Sequence, residues 1–152
     1  MRKINKIVIH CSATHEGNNF NVDDIRRWHI QRGFNDVGYH YVILIDGTIQ
    51  EGRPLYKPGA HVRGYNSNSI GICYIGGLDK NGKSKDTRTD AQKASLRYIL
   101  TKLKASYPDA KIVGHRDLSP DKDGNGKIDR WEWLKDCPCF DVEPEYKDLD
   151  DE

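Results

Sequence analysis

Residues 40–52 read HYVILIDGTIQEG. The first six are mostly aromatic or β-branched, as a strand prefers, and Asp46-Gly47 is a strong two-residue hairpin signal. Residues 48–52 then return as the partner strand, so this stretch predicts one antiparallel pair. Outward from it lie three other short apolar runs: KIVIH at 6–10, IGICYI at 70–75 and KIV at 111–113. Each has the length and β-branched content of a buried strand. Between the runs the period changes to that of a helix. Asn21 opens one helix, with Asp23 and Asp24 in its first turn, Ile25, Trp28 and His29 at helical spacing, and Gly33 as the stop. Thr89 and Gln92 form a capping-box pattern for a second, and Leu96, Ile99, Leu100 and Leu103 follow at i, i+3, i+4 and i+7, with Pro108 at the exit. Strands alternating with helices, plus one hairpin, predict an α/β fold: a single domain with a central mixed β-sheet flanked by helices.

The chain has 152 residues, enough for one domain with its own core. Its formal net charge of +1 argues against a nucleic-acid binder driven by a large positive field. No apolar run is long enough to span a membrane, and the apolar stretch near the N-terminus is only IVI, far short of a signal-peptide core. Synthesis in the cytoplasm without a signal peptide is therefore expected. Nothing demands more than a monomer. The domain is expected over residues 1–142, and residues 143–152 (EPEYKDLDDE) read as an acidic, frayed tail. Cys11 and Cys73 sit in strand-like contexts and read as buried small hydrophobes. No cysteine pair has the two-residue spacing of a zinc knuckle.

His10 and His115 each fall at the end of an apolar strand, where a sheet presents side chains to a cleft. Cys137 follows in the Pro-flanked stretch DCPCFD. Two imidazoles and a thiolate suit zinc and leave a fourth position for water, the arrangement of a catalytic rather than a structural site. The alternative is that each histidine is a satisfied core residue. Spacing alone favours that alternative, because no short motif links the three.

Five segments carry more information. IVIHCSAT, DVGYHYVILIDGTIQEGR, GAHVRGYNSNSIGICYIGG, GHRD and LKDCPCFD, in this order, resemble the successive signatures of the type 2 N-acetylmuramoyl-L-alanine amidases. That family shares its fold with the peptidoglycan recognition proteins. The resemblance runs from about His10 to Asp141. It implies zinc-dependent hydrolysis of the amide joining N-acetylmuramic acid to L-alanine in bacterial peptidoglycan, with action on the wall after release from the cell. It puts the zinc ligands on His10, His115 and Cys137. Cys139 competes for the third place, but the family pattern Cys-Pro-x-Phe-Asp selects the residue before Pro138. It makes Tyr39 and Lys135 the catalytic tyrosine and lysine, and it places His61 and Asn66 in a loop that lines the substrate groove. A second class, recognition modules that bind peptidoglycan without cutting it, typically lacks a zinc ligand; here Cys137, Tyr39 and Lys135 are all present. His40 is expected in the core, His29 in helix packing, and His15 in a loop without function.

Residues 121–132 read DKDGNGKIDRWE and match a calcium-binding EF-hand loop at its diagnostic positions. Asp121, Asp123, Asn125, Asp129 and Glu132 would supply side-chain oxygens and Lys127 its backbone carbonyl, with Gly126 at the sharp turn. The preceding HRDLS does not read as an entering helix, so the expectation is a lone structural Ca2+ loop between His115 and Cys137.

Overall fold

The structure is a computed structural model, and it describes residues 2–120, 122, 124, 128 and 136–150. Strand β1 (Lys6–Cys11) lies inside a five-stranded sheet of order β4-β3-β5-β1-β7, with β3 (Tyr41–Ile43), β4 (Ile49–Glu51), β5 (Ser69–Tyr74) and β7 (Lys111–Gly114). Strands β3, β5, β1 and β7 run parallel, and β4 is antiparallel to β3. The hairpin at Asp46-Gly47 is the reason. Gly47 adopts φ 90°, which a residue without Cβ reaches at little cost, and the chain doubles back at once. A short second sheet pairs β2 (Thr14–His15) with β6 (Gly77–Leu78); the sequence pattern had not indicated it.

Two helices cover the sheet. Helix α1 (Val22–Gln31) is capped by Asn21, whose side chain accepts from the Asp24 amide at 3.1 Å while the Asp24 carboxylate accepts from the Asn21 amide at 3.0 Å. Helix α2 (Asp90–Ser106) has the same reciprocal cap between Thr89 and Gln92. Gln92 also donates to the carbonyls of Ile75 (2.9 Å) and Ile43 (3.3 Å), so the cap pins the helix start to the ends of two strands.

Side-chain alternation sorts the strands between the layers. Ile7, Ile9 and Cys11 of β1 join Ile70, Ile72 and Tyr74 of β5 in the cluster that takes Leu96, Leu100 and Leu103 from α2. The opposite face of β5 sends Cys73 to a second cluster with Val22, Ile25, Val37 and Val42 beneath α1. His10 pairs in register with Cys73 and alternates with Ile9 and Cys11, so it emerges on this second face.

The expected frayed tail is instead structured over most of its length. Helices α3 (Val142–Glu145) and α4 (Lys147–Asp150) close the α2 face, with Val142 and Tyr146 only 1% exposed. The acidic residues are used as partners. Glu145 takes a buried Arg88 at 2.6 Å, and Asp150 accepts from the Ile112 amide and pairs with Lys104 at 3.2 Å. Arg88 also lies over the Phe140 ring, 3.3 Å from its centroid. Charge pattern alone misread this segment because Tyr146 and Val142 are too few to form a visible apolar period. Residues 151–152 lie outside the described residues.

Candidate metal centre and groove

Strand β1 ends at His10 and Cys11, and β7 runs directly into a 3-10 turn, His115–Leu118, so two parallel neighbours deliver a histidine each to the same sheet edge. The Asp117 carboxylate accepts from the Gly114 amide at 2.8 Å and closes the turn under His115. Cys137 arrives from the far end of the chain. Its carbonyl accepts from the Arg116 amide at 2.9 Å, and the Tyr74 hydroxyl donates to the next carbonyl, that of Pro138, at 2.5 Å. The imidazoles of His10 and His115 stand 4.7 Å apart, centroid to centroid. His10 Nδ1 lies 3.9 Å from Cys137 Sγ, and the three donor atoms all fall within 4.8 Å of one another.

That set fits a zinc ion. Bonds of about 2.0–2.1 Å to nitrogen and 2.3 Å to sulfur, at the tetrahedral angle, space N and S by about 3.6 Å. The Cys11 amide donates to Cys137 Sγ at 3.1 Å and holds the sulfur beside His10. Cys139 points elsewhere: its sulfur donates to the Gly77 carbonyl at 3.3 Å and lies 4.0 Å from Cys11 Sγ, among the α2-side core residues. The contact with Cys11, together with burial, pushes its thiol well above the ordinary range. Cys11 and Cys73 are both buried.

The cluster forms one wall of a groove of about 640 Å3. Tyr39, just before β3, lines it with its ring 5.1 Å from His10. Burial pushes the Tyr39 phenol well above its usual pKa, with the sulfurs of Cys73 and Cys137 acting in the same direction, so it is held protonated at neutral pH. His61 and Asn66 also line the groove. The Asn66 side-chain oxygen accepts from the amides of His61 and Val62, both at 2.9 Å, and so shapes the loop it belongs to. His61 places Nδ1 2.8 Å from His10 Nε2 and Nε2 3.0 Å from Ser69 Oγ. Desolvation lowers its pKa to about 3, which keeps the ring neutral.

His40 is buried as expected, accepting from the Gly71 amide at Nδ1 (3.0 Å) and facing the Lys57 carbonyl at Nε2 (2.8 Å). His29 does pack against the helix base, accepting from the Gly38 amide at 2.8 Å, yet it also reaches the groove wall. Sequence reasoning did not find this second role, nor Arg32, Phe34 and Arg63 on the same groove. Arg63 was within a quoted motif and could have been noticed; Arg32 and Phe34 follow a helix end and carry no sequence signal. Lys135 and the loop positions Asp121, Asp123, Asn125, Lys127, Asp129 and Glu132 lie outside the described residues.

A His-His-Cys trio able to hold a metal ion, at the edge of a mostly parallel sheet and opening on a groove beside the half-buried Tyr39 phenol, is an arrangement suited to hydrolysis. The family model described as N-acetylmuramoyl-L-alanine amidase matches residues 1–132. The endolysin of Escherichia phage T7 is 43% identical over 136 residues, covering 90% of this chain and 81% of its own. That of Klebsiella phage KP32 is 40% identical over 141 residues, covering 93% and 84%. Among solved structures, the amidase LysC of Clostridium intestinale superposes with a TM-score of 0.74 at 27% identity, covering 97% of this chain and 86% of that one. The bumblebee recognition protein PGRP-SA, at 23% identity and a TM-score of 0.71, shares the fold. The chain belongs to the N-acetylmuramoyl-L-alanine amidase family, and it is similar to the endolysins of Escherichia phage T7 and Klebsiella phage KP32.

Proposed function

We propose that the groove is the catalytic centre of a zinc-dependent amidase that cuts the N-acetylmuramoyl–L-alanine bond of peptidoglycan. The observation that carries this reading is the convergence of His10, His115 and Cys137 donor atoms within 4.8 Å in the lining of the groove. A Zn2+ ion held there supplies a Lewis acid that polarises the amide carbonyl and makes water a nucleophile near neutral pH. The protein's own groups do the rest. His10, His115 and Cys137 would hold the ion with two neutral imidazoles and one thiolate, a ligand set that would leave a divalent cation with net positive charge. Tyr39, beside His10, hands its phenolic proton toward the departing amine and recovers one from the attacking water, which balances the hydrolysis. Lys135 gives its ammonium to the oxyanion; this role rests on its match to the family's catalytic lysine. His61 and Asn66 hold the loop that faces the peptide.

In this reading the substrate is the muramyl peptide of the cell wall, reached after release from the cytoplasm, and the enzyme works as a monomer. Residues 121–132 bind a structural Ca2+ that braces the path to Lys135 and Cys137; the sequence pattern of four carboxylates and a turn glycine supports this. Among the described residues no helix is long and apolar enough to cross a membrane. The test is clearance of purified cell walls with and without a zinc chelator. Free amino groups should appear without new reducing sugar ends, and the chelator should abolish both clearance and release. Binding to walls without any release of amino groups would instead mean a recognition module.

A further inference from the structure

We propose that His61 is a positioning residue for the metal: it fixes the tautomer of His10 and thereby which ring nitrogen His10 offers to the ion. This deepens the zinc reading and rests on it. His10 turns Nδ1 toward Cys137 Sγ, at 3.9 Å, and Nε2 toward His61 Nδ1, at 2.8 Å. A nitrogen that binds a metal must present a lone pair, so the proton of a neutral His10 has to sit on Nε2. That proton then points at His61 Nδ1, which must accept it. The tautomer of His61 follows in turn: its proton sits on Nε2 and is donated to Ser69 Oγ at 3.0 Å. One chain of hydrogen bonds, Ser69–His61–His10, thus prepares a single nitrogen lone pair at the metal centre.

The fold is built around this ring. Ser69, at the start of β5, is fully buried. Gly71, two residues on, lies under the imidazole: a Cβ there would stand 2.7 Å from the His61 ring carbon. A Cβ on Gly59 would stand 2.6 Å from His61 Cδ2. Both contacts are too close for any side chain, so two glycines leave the slot that the ring fills. Asn66 fixes the backbone above it by taking the amides of His61 and Val62. A residue that only touched substrate would not need both of its nitrogens committed to the protein. Partners of this kind orient a metal-binding histidine and raise its basicity, and their loss typically weakens metal binding by about 10- to 100-fold.

The test uses the full chain with zinc affinity, measured by competition with a chromophoric chelator, and the visible absorption of the Co2+-substituted protein. His61→Leu should weaken zinc by roughly 10- to 100-fold and shift the Co2+ bands. His61→Asn, which sets an amide acceptor near the position of Nδ1, should recover most of the affinity and the spectrum. Ser69→Ala should weaken zinc in the same direction by a smaller factor, and it carries the test should His61→Leu fail to fold by circular dichroism. Zinc affinity and Co2+ spectrum unchanged in His61→Leu, or in Ser69→Ala if the former does not fold, would overturn the proposal. So would a defect confined to KM, which would make His61 a substrate contact. Failure of the wild type to bind zinc, or retention of zinc by His10→Ala, would overturn the zinc reading itself and is distinguishable from either.

Discussion

Cys137 and Cys139 are two residues apart and chemically identical, yet their surroundings differ. Cys137 Sγ receives the Cys11 amide and faces His10, whereas Cys139 Sγ is directed to the Gly77 carbonyl. Cys139 also holds φ at 72°, a conformation few non-glycine residues adopt, which turns its side chain away from that of its neighbour. We expect His10→Ala, His115→Ala and Cys137→Ala each to lose zinc and activity, with Cys139→Ala keeping both. Metal analysis of the four purified variants checks this, and zinc retained in Cys137→Ala but lost in Cys139→Ala would reverse the assignment. Tyr39 lines the groove without belonging to the donor cluster. Tyr39→Phe should therefore keep stoichiometric zinc, and Lys135→Ala should do the same if the lysine has the role its family match implies, while turnover falls by roughly a hundredfold or more in each, the effect of losing about 3 kcal/mol of transition-state stabilisation. Turnover near the wild-type rate in both would remove them from the chemistry.

Helices α3 and α4 change how the C-terminal segment is understood. Tyr146 is among the largest fully buried side chains, and it touches both the Phe140 ring and the guanidinium of Arg88. Removing a buried aromatic side chain typically costs about 3–5 kcal/mol. Tyr146→Ala should accordingly lower the melting temperature by many degrees, and a change of a degree or less would return this segment to the status of a loose tail. The proposed calcium site at residues 121–132 makes the complementary prediction. Four carboxylates within residues 121–132 repel one another until a hard cation neutralises them. Calcium added after a calcium-selective chelator should raise the melting temperature of the wild type but not of Glu132→Ala; a hundredfold excess over Kd stabilises by about 2.7 kcal/mol. Identical wild-type melting with and without calcium would leave the loop as a polar insertion.

Across the whole molecule, buried neutral histidines couple stability to pH. Desolvation lowers both His29 and His40 to about 4, from an ordinary value near 6.5, with nearby arginines adding to the effect. The unfolded chain therefore binds more protons than the folded one between about pH 6.5 and 4. Stability is fully present above that window and falls as pH drops through it, by up to about 1.4 kcal/mol per pH unit for each histidine. Urea unfolding of the metal-free protein at pH 7.5 and at pH 5, with chelator in both, should show a lower midpoint at pH 5. An equal or higher midpoint there would mean that these rings are charged in the fold.

Much of this protein was legible in local pattern. Helix starts at Asn21 and Thr89, the turn at Asp46-Gly47 and the buried strands all depend on residues within a few positions of one another, where capping and alternation act directly. The family motifs likewise named His10, His115, Cys137 and Tyr39 as residues of interest. Tertiary structure alone decided what depends on distant segments meeting: that Cys137 Sγ comes to 3.9 Å from His10 Nδ1 across 127 positions of chain, that His61 lies against His10, that His29 and Arg32 reach the groove, and that the acidic C-terminal helices close the core through Arg88. Contacts of that range leave no periodicity in a sequence. They arise because the parallel order of β5, β1 and β7 brings the strand ends to one edge, and because burial there requires each polar group to find a partner.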